Sequence, residues 1–269
     1  FRQILVEISA VNTTFASASL PINATNRSQN QNQVFIGTFR PDPDAKPRWY
    51  GNLKRYKIGF FGSDIDLADV DGKAAVNPLT GFLTECATSF WTTDSGKYWE
   101  NVLTNPSPAS RCLGSAFDKY SDAPDGPMVE KGGTAEVIRK GNSPPTTNTT
   151  PTYAENRTIF TASSGGLLTL NATNTGLDET LVKFIRGQDT NDDDGDNSYT
   201  ETRASIHGDV IHSRPIPINF GSEIVIFYGS NDGHLRAVEA ETGKEKWAIV
   251  ASEFNTKFKR LQDNSPLVK

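Results

Sequence analysis

The chain has 269 residues, enough for one large all-β domain or two ordinary domains. Hydrophobic residues are 36% and charged residues 22%, so a core can form but is lean, and 22 glycines with 15 prolines favour many turns over long helices. The formal net charge of −5 argues against nucleic acid as a partner, because phosphate binding needs clustered Lys and Arg.

The chain opens on Phe1, and Ile4 to Ile8 lacks both a basic flank and a long apolar run. That segment is neither a signal peptide nor a membrane span, and the expectation is release from a longer precursor. Ile4, Ile8 and Val11 have helical spacing, and Asn23 to Gln33 reads as an Asn/Gln-rich loop. Val34 to Arg40 reads as a strand, Pro41 to Asp44 as a turn, and Arg48 to Phe61 as a second strand completing an antiparallel hairpin. Asp69-Val70-Asp71-Gly72 is a tight acidic turn, and Ala87 to Thr93 reads as another strand. Cys86 and Cys112 read as one disulfide of an oxidising compartment, with two unpaired thiols as the alternative.

Asp125 to Lys140 has helical spacing, interrupted by Gly132-Gly133. A polar, Pro-rich loop occupies 142–157 and separates the opening strands and insertions of 1–141 from further elements in 158–269. There, Thr158 to Ala162 and Leu167 to Asn171 read as a hairpin. Leu177 to Arg186 is a short amphipathic helix with Leu181, Phe184 and Ile185 facing inward, acids at its start and Gly187 as its stop.

The most fold-specific pattern is 222–250. Ile224 to Gly229, His234 to Ala240 and Glu245 to Val250 are three short strands, joined by the turns Asn231-Asp232-Gly233 and Glu241 to Lys244. Short antiparallel strands with Gly turns and a closing Trp247 make one blade of a β-propeller. Tyr228 to Gly233, Ala237-Val238 and Thr242-Gly243-x-x-x-Trp247 resemble the repeat of quinoprotein-type propellers. The fold class expected is therefore mainly β: one β-propeller domain with quinoprotein-like blades across 1–269, incomplete in this chain, with short helical insertions.

A wider resemblance follows from several motifs in order. Val11-Asn12-x-x-Phe15 to Pro21, Phe35-Ile36-Gly37-x-Phe39-Arg40-Pro41 and Arg48-Trp49-x-Gly51-Asn52-Leu53-Lys54-x-Tyr56 resemble the C-terminal domain of the type IV pilus tip-associated adhesins of PilY/PilC type. So do Ser89-Phe90-Trp91-Thr92, Ser121 to Gly126, and His207 to Pro215 just ahead of the blade. The resemblance implies a bacterial protein at the pilus tip, extracellular or on the cell surface, that is not an enzyme. It implies a role in pilus biogenesis, twitching motility and surface attachment, with minor pilins or other tip components and a host-cell or other surface receptor as partners. The alternatives are a fragment of a secreted quinoprotein dehydrogenase and a cell-surface binding or structural propeller.

Asp189 to Asp196 is the one metal-like constellation, and its crowded carboxylates repel one another unless a cation neutralises them. With Gly195 at the sharp turn, calcium-loop spacing makes Asp192 and Asp194 side-chain ligands, Asp196 a carbonyl ligand and Glu201 the bidentate acid. A second frame uses Asp189, Asn191 and Asp193, and a solvated acidic loop is the alternative to both. His207 and His212 lack a third zinc ligand nearby and read as packing residues, as do Trp49, Trp91, Trp99 and Trp247.

Overall fold

The computed structural model describes residues 15–18, 32–42, 44–76, 83, 87–92, 129–130, 132–140, 156–163, 165–193, 197–203 and 205–268. The expected helix at 2–12, most of the 142–157 loop, Cys86, Cys112, Trp99, the 121–126 motif, Asp194 and Asp196 lie outside them.

Two β-sheets dominate. The first has the order β1 (Phe15–Ala18), β2 (Gln33–Arg40), β3 (Tyr50–Phe61), β4 (Asp64–Ala68), all antiparallel. The β2/β3 hairpin is the one expected, with Val34 opposite Tyr56 and Gly37 opposite Leu53. Its turn is held by the Asp42 carboxylate, which accepts the Asp44 and Lys46 amides. Asp69 closes the next turn in the same way, accepting from Asp71 and Lys73.

The second sheet has six strands. β5 (Ile159–Ser163) and β6 (Gly166–Thr169) form the expected hairpin. β7 (Ile216–Asn219), β8 (Ile224–Gly229), β9 (His234–Glu239) and β10 (Glu245–Val250) form a four-stranded antiparallel meander. The spatial order is β6-β5-β10-β9-β8-β7, with β5 parallel to β10. The fold is thus mainly β, in two sheets, neither closed into a barrel.

Short helices fill the margins. In α1 (Gly133–Lys140) the glycine pair begins the helix rather than interrupting it. Gly132 and Gly133 both have positive φ, and the Asn52 side chain accepts the Ala135 amide, acting as a cap supplied from β3. α2 (Ala172–Thr175) is a single turn, followed by α3 (Glu179–Arg186). Asp178 caps α3, accepting the Thr180 and Leu181 amides, and Gly187 ends it at φ 111°. α4 (Asn255–Asp263) follows β10.

The expected strand at 87–93 is absent over the described residues 87–92. Only Phe90 bridges, to Arg55, and Trp91 turns away with φ 70°. The Arg55 guanidinium lies 4.6 Å from the Phe90 ring and 5.9 Å from that of Trp91. The aromatic pair therefore wraps a cation instead of extending a ladder.

Alternation along the strands divides the core. Val34, Ile36 and Tyr56 point to one side with Ala75 and Ala87. Phe35 and Leu53 point to the other and join Ile226, Tyr228 and Val238, so the two sheets share a core through β2, β3, β8 and β9. A further cluster sets α3 and α4 against β5 and β10 through Phe184, Ile185, Phe258, Ile159 and Val250.

Candidate functional site

Motifs far apart in sequence meet at the junction between the sheets. Tyr50 bridges Gly208, and a methyl group on Gly51 would sit 2.2 Å from the Gly208 carbonyl oxygen. A methyl on Gly37 would meet Val210 at 2.7 Å. Gly208 in turn crowds Asp232, whose carboxylate accepts its amide, while the Asn231 amide donates to the Asp209 carbonyl at 2.9 Å. On the far side the Trp91 indole donates to the Glu241 carbonyl and lies on Gly243. Arg55 donates to the Ala240 carbonyl at 2.8 Å. At Gly51 and Gly208 the nearest neighbour is backbone, so any side chain there would part the chains, whereas Gly37 and Gly243 make room for the Val210 side chain and the Trp91 ring.

Beneath the junction is a buried charged network. Arg236, fully buried, pairs with Asp232 at 2.7 Å and with Glu245 at 3.1 Å. Arg157 grips both Glu245 oxygens at 2.8 Å and donates to the Arg186 carbonyl. Burial favours the neutral acid at Glu245, yet Arg157 and Arg236 outweigh it and hold its pKa at about 2. Asp232 is likewise held well below the carboxylate range by Arg236 and His234 against the effect of burial. His207 is locked in one tautomer: Nδ1 donates to the Gly208 carbonyl and Nε2 accepts from the Tyr228 hydroxyl, each at 2.7 Å. Burial, with Arg236 nearby, lowers its pKa to about 3. Nearer the surface, Asn231 donates to Asp209 at 2.7 Å and to His212 Nδ1 at 3.1 Å, and burial raises Asp209 to about 6.

The acidic loop leaves α3 and closes on itself, with Gln188 bridging Thr202 and the Asp189 amide donating to the Glu201 carbonyl. Asp189 is buried, and its carboxylate accepts the Asn191 and Asp193 amides. Asn191 donates to the Gln262 carbonyl of α4. Asp193 is held by both terminal nitrogens of Arg48, one at 2.9 Å, and that pairing lowers its pKa against the effect of burial. The second calcium frame therefore has its three side chains turned to protein donors and acceptors. In the first frame, Asp192 accepts the Asn197 amide at 3.0 Å and Glu201 is buried, while Asp194 and Asp196 lie outside the described residues. Among the described residues, no group of three or more His, Cys, Asp or Glu is gathered to hold a metal.

The charged network was not singled out from the sequence, although one signal was present. Alternation in β9 places Arg236 on the buried face with Val238, and an arginine there requires a buried acid. No family model matches the chain, and neither a curated protein nor a solved structure matches it. Among the described residues, no helix is long and apolar enough to cross a membrane.

Proposed function

We propose that this chain is the opening part of the β-propeller domain of a secreted bacterial type IV pilus tip-associated adhesin, acting in pilus biogenesis, surface attachment and twitching motility. It works as a binding scaffold with no catalytic step, and its partners are tip components such as minor pilins and a surface receptor. The observation that carries this reading is the interlock of the motifs on which the resemblance rests. The 35–41, 48–56, 89–92 and 207–215 segments meet at one junction through Gly37, Gly51 and Trp91.

The second sheet supports the propeller. β8 reads Ile-Val-Ile-Phe-Tyr without alternation, the pattern of a strand covered on both faces. One face already packs on β2 and β3. The other runs through Ile218, Phe227, Leu235 and Trp247 to Leu167 and is partly exposed to water. An apolar sheet face of this size calls for another layer, and in a propeller that layer is the next blade. Calcium belongs to the proposal as a ligand of the 189–201 loop, in the frame that includes Asp194 and Asp196.

The test is placement and binding. Antibodies against the chain should label pilus tips on intact cells, and the purified protein should bind purified minor pilins. Label confined to the cytoplasm, or no pilin binding at micromolar concentration, would overturn the proposal. Absorbance from a bound quinone with alcohol oxidation would favour the dehydrogenase alternative.

A further inference from the structure

A groove of ≈ 390 Å³ lies between the His234 end of β9, the end of β10 and α4. Leu235, Ile249, Phe254, Phe258 and Leu261 supply its apolar walls. Two of them stand open to water, Leu235 at 45% and Phe254 at 47% exposure. The groove has the volume of a small-ligand site, and an apolar body laid along these walls would take both out of water.

The polar side chains of its floor are engaged within the protein. Ser213 accepts the Gly229 amide, Ser230 donates to Asp232, and the Asn231 side chain donates to Asp209 and His212. A peptide backbone lying here would therefore lose its water without finding replacement partners, which favours a ligand whose body is hydrocarbon.

The charge at the groove is one-sided. Among the described residues, Lys257 and His212 line it and no Asp or Glu does, in a chain of net charge −5. The acids that the floor groups touch are already paired, Asp209 with Asn231 and Asp232 with Arg236. Lys257 and His212 are both exposed, and Lys257 makes no ion pair among the described residues. The Asn231 amide nitrogen can only donate, so His212 Nδ1 accepts from it and the ring proton sits on Nε2 as a second donor. The reversed amide would set the Asn231 carbonyl against the Asp209 carboxylate.

We propose that this groove binds a medium-chain monocarboxylic acid, with its hydrocarbon body on the apolar walls and its carboxylate received by the Lys257 ammonium and the His212 Nε2 proton. Hydrogen bonds to an ionised group are roughly twice as strong as neutral ones, so the acid is favoured over an alcohol of the same length.

The experiment is an NMR titration of the ¹⁵N-labelled chain with octanoate and, in parallel, 1-octanol. The expected result is octanoate binding about tenfold tighter, the worth of one charge-assisted hydrogen bond. Lys257→Gln and His212→Ala, both at exposed positions, should each weaken octanoate about threefold to fivefold and leave 1-octanol unchanged. Phe254→Ala should weaken both ligands, because it removes an exposed part of the apolar wall they share. N-acetyl-leucyl-phenylalanine, a peptide terminus of the same charge, should bind more weakly than octanoate. No binding of octanoate, equal affinity for octanoate and 1-octanol, a preference that survives the Lys257→Gln/His212→Ala double variant, or tighter binding of the peptide would overturn the proposal.

Discussion

Gly51 of β3 and Gly208 ahead of β7 are in backbone contact, and a methyl group added to Gly51 would lie 2.2 Å from the Gly208 carbonyl oxygen and 2.3 Å from Asp209 Cα. The contact is between two backbones, so no side chain can rotate away. Gly51→Ala should therefore cost about 1–3 kcal/mol or more by forcing the strands apart. Gly165→Ala, where a methyl would meet only Ser163 Oγ at 3.9 Å, should change stability by less than about 0.5 kcal/mol. Urea denaturation of both variants checks the pair, and equal midpoints would contradict the tight junction.

Glu245 is the hub of the buried network, shared by Arg157 and Arg236. Glu245→Leu leaves two buried guanidinium groups without that partner and should cost about 3–5 kcal/mol. The pKa of Glu245 is depressed from 4.5 to about 2, so its contribution is fully present above about pH 4.5 and is lost as pH falls through 2. The stability gap between wild type and Glu245→Leu should narrow over that window, measured by denaturant unfolding at stepped pH.

Glu130 has the opposite sign. Burial raises its pKa from 4.5 to about 7 despite a hydrogen bond from Ser205 and the nearby Arg139. A raised carboxyl pKa means the folded state holds a proton that the unfolded state has released, so this group's effect is to lower stability between pH 4.5 and 7. Glu130→Gln, which mimics the protonated form, should gain on wild type as pH rises through that range. The gain should level off above pH 7 at about 3 kcal/mol. A pH-independent difference between the two would contradict the burial of an ionisable Glu130.

The readable parts of the fold were those written locally. The three strands and two turns of 224–250 lie where the density of β-formers, Asn-Asp-Gly and Thr-Gly placed them, and α3 stops at Gly187 as expected but begins at Glu179, with Asp178 as its cap, rather than at Leu177. The parallel pairing of β5 with β10 was not readable. It joins Ile159 to Ala248, a contact with no local pattern. Gly132-Gly133 looked like a helix breaker because the cap that makes it a helix start, Asn52, sits on a distant strand. The acidic loop was recognised by composition. Its tie to Arg48 was hidden, because nothing in the sequence pairs Asp193 with a residue ahead of β3.

The proposed calcium binding by the 189–201 loop has a direct readout. Millimolar calcium should raise the melting temperature, and Asp192→Ala with Asp194→Ala should abolish the rise, because ligand binding to the folded state stabilises it by mass action. No shift in wild type, or an equal shift in the double variant, would remove calcium from this loop.

The central claim is that the chain belongs to a pilus tip adhesin. Its most direct test is deletion of the coding region in the source organism, followed by counts of surface pili and a twitching assay. The account predicts loss of both, restored by the wild-type sequence and poorly restored by Gly51→Ala. Undiminished piliation and motility in the deletion strain would contradict it.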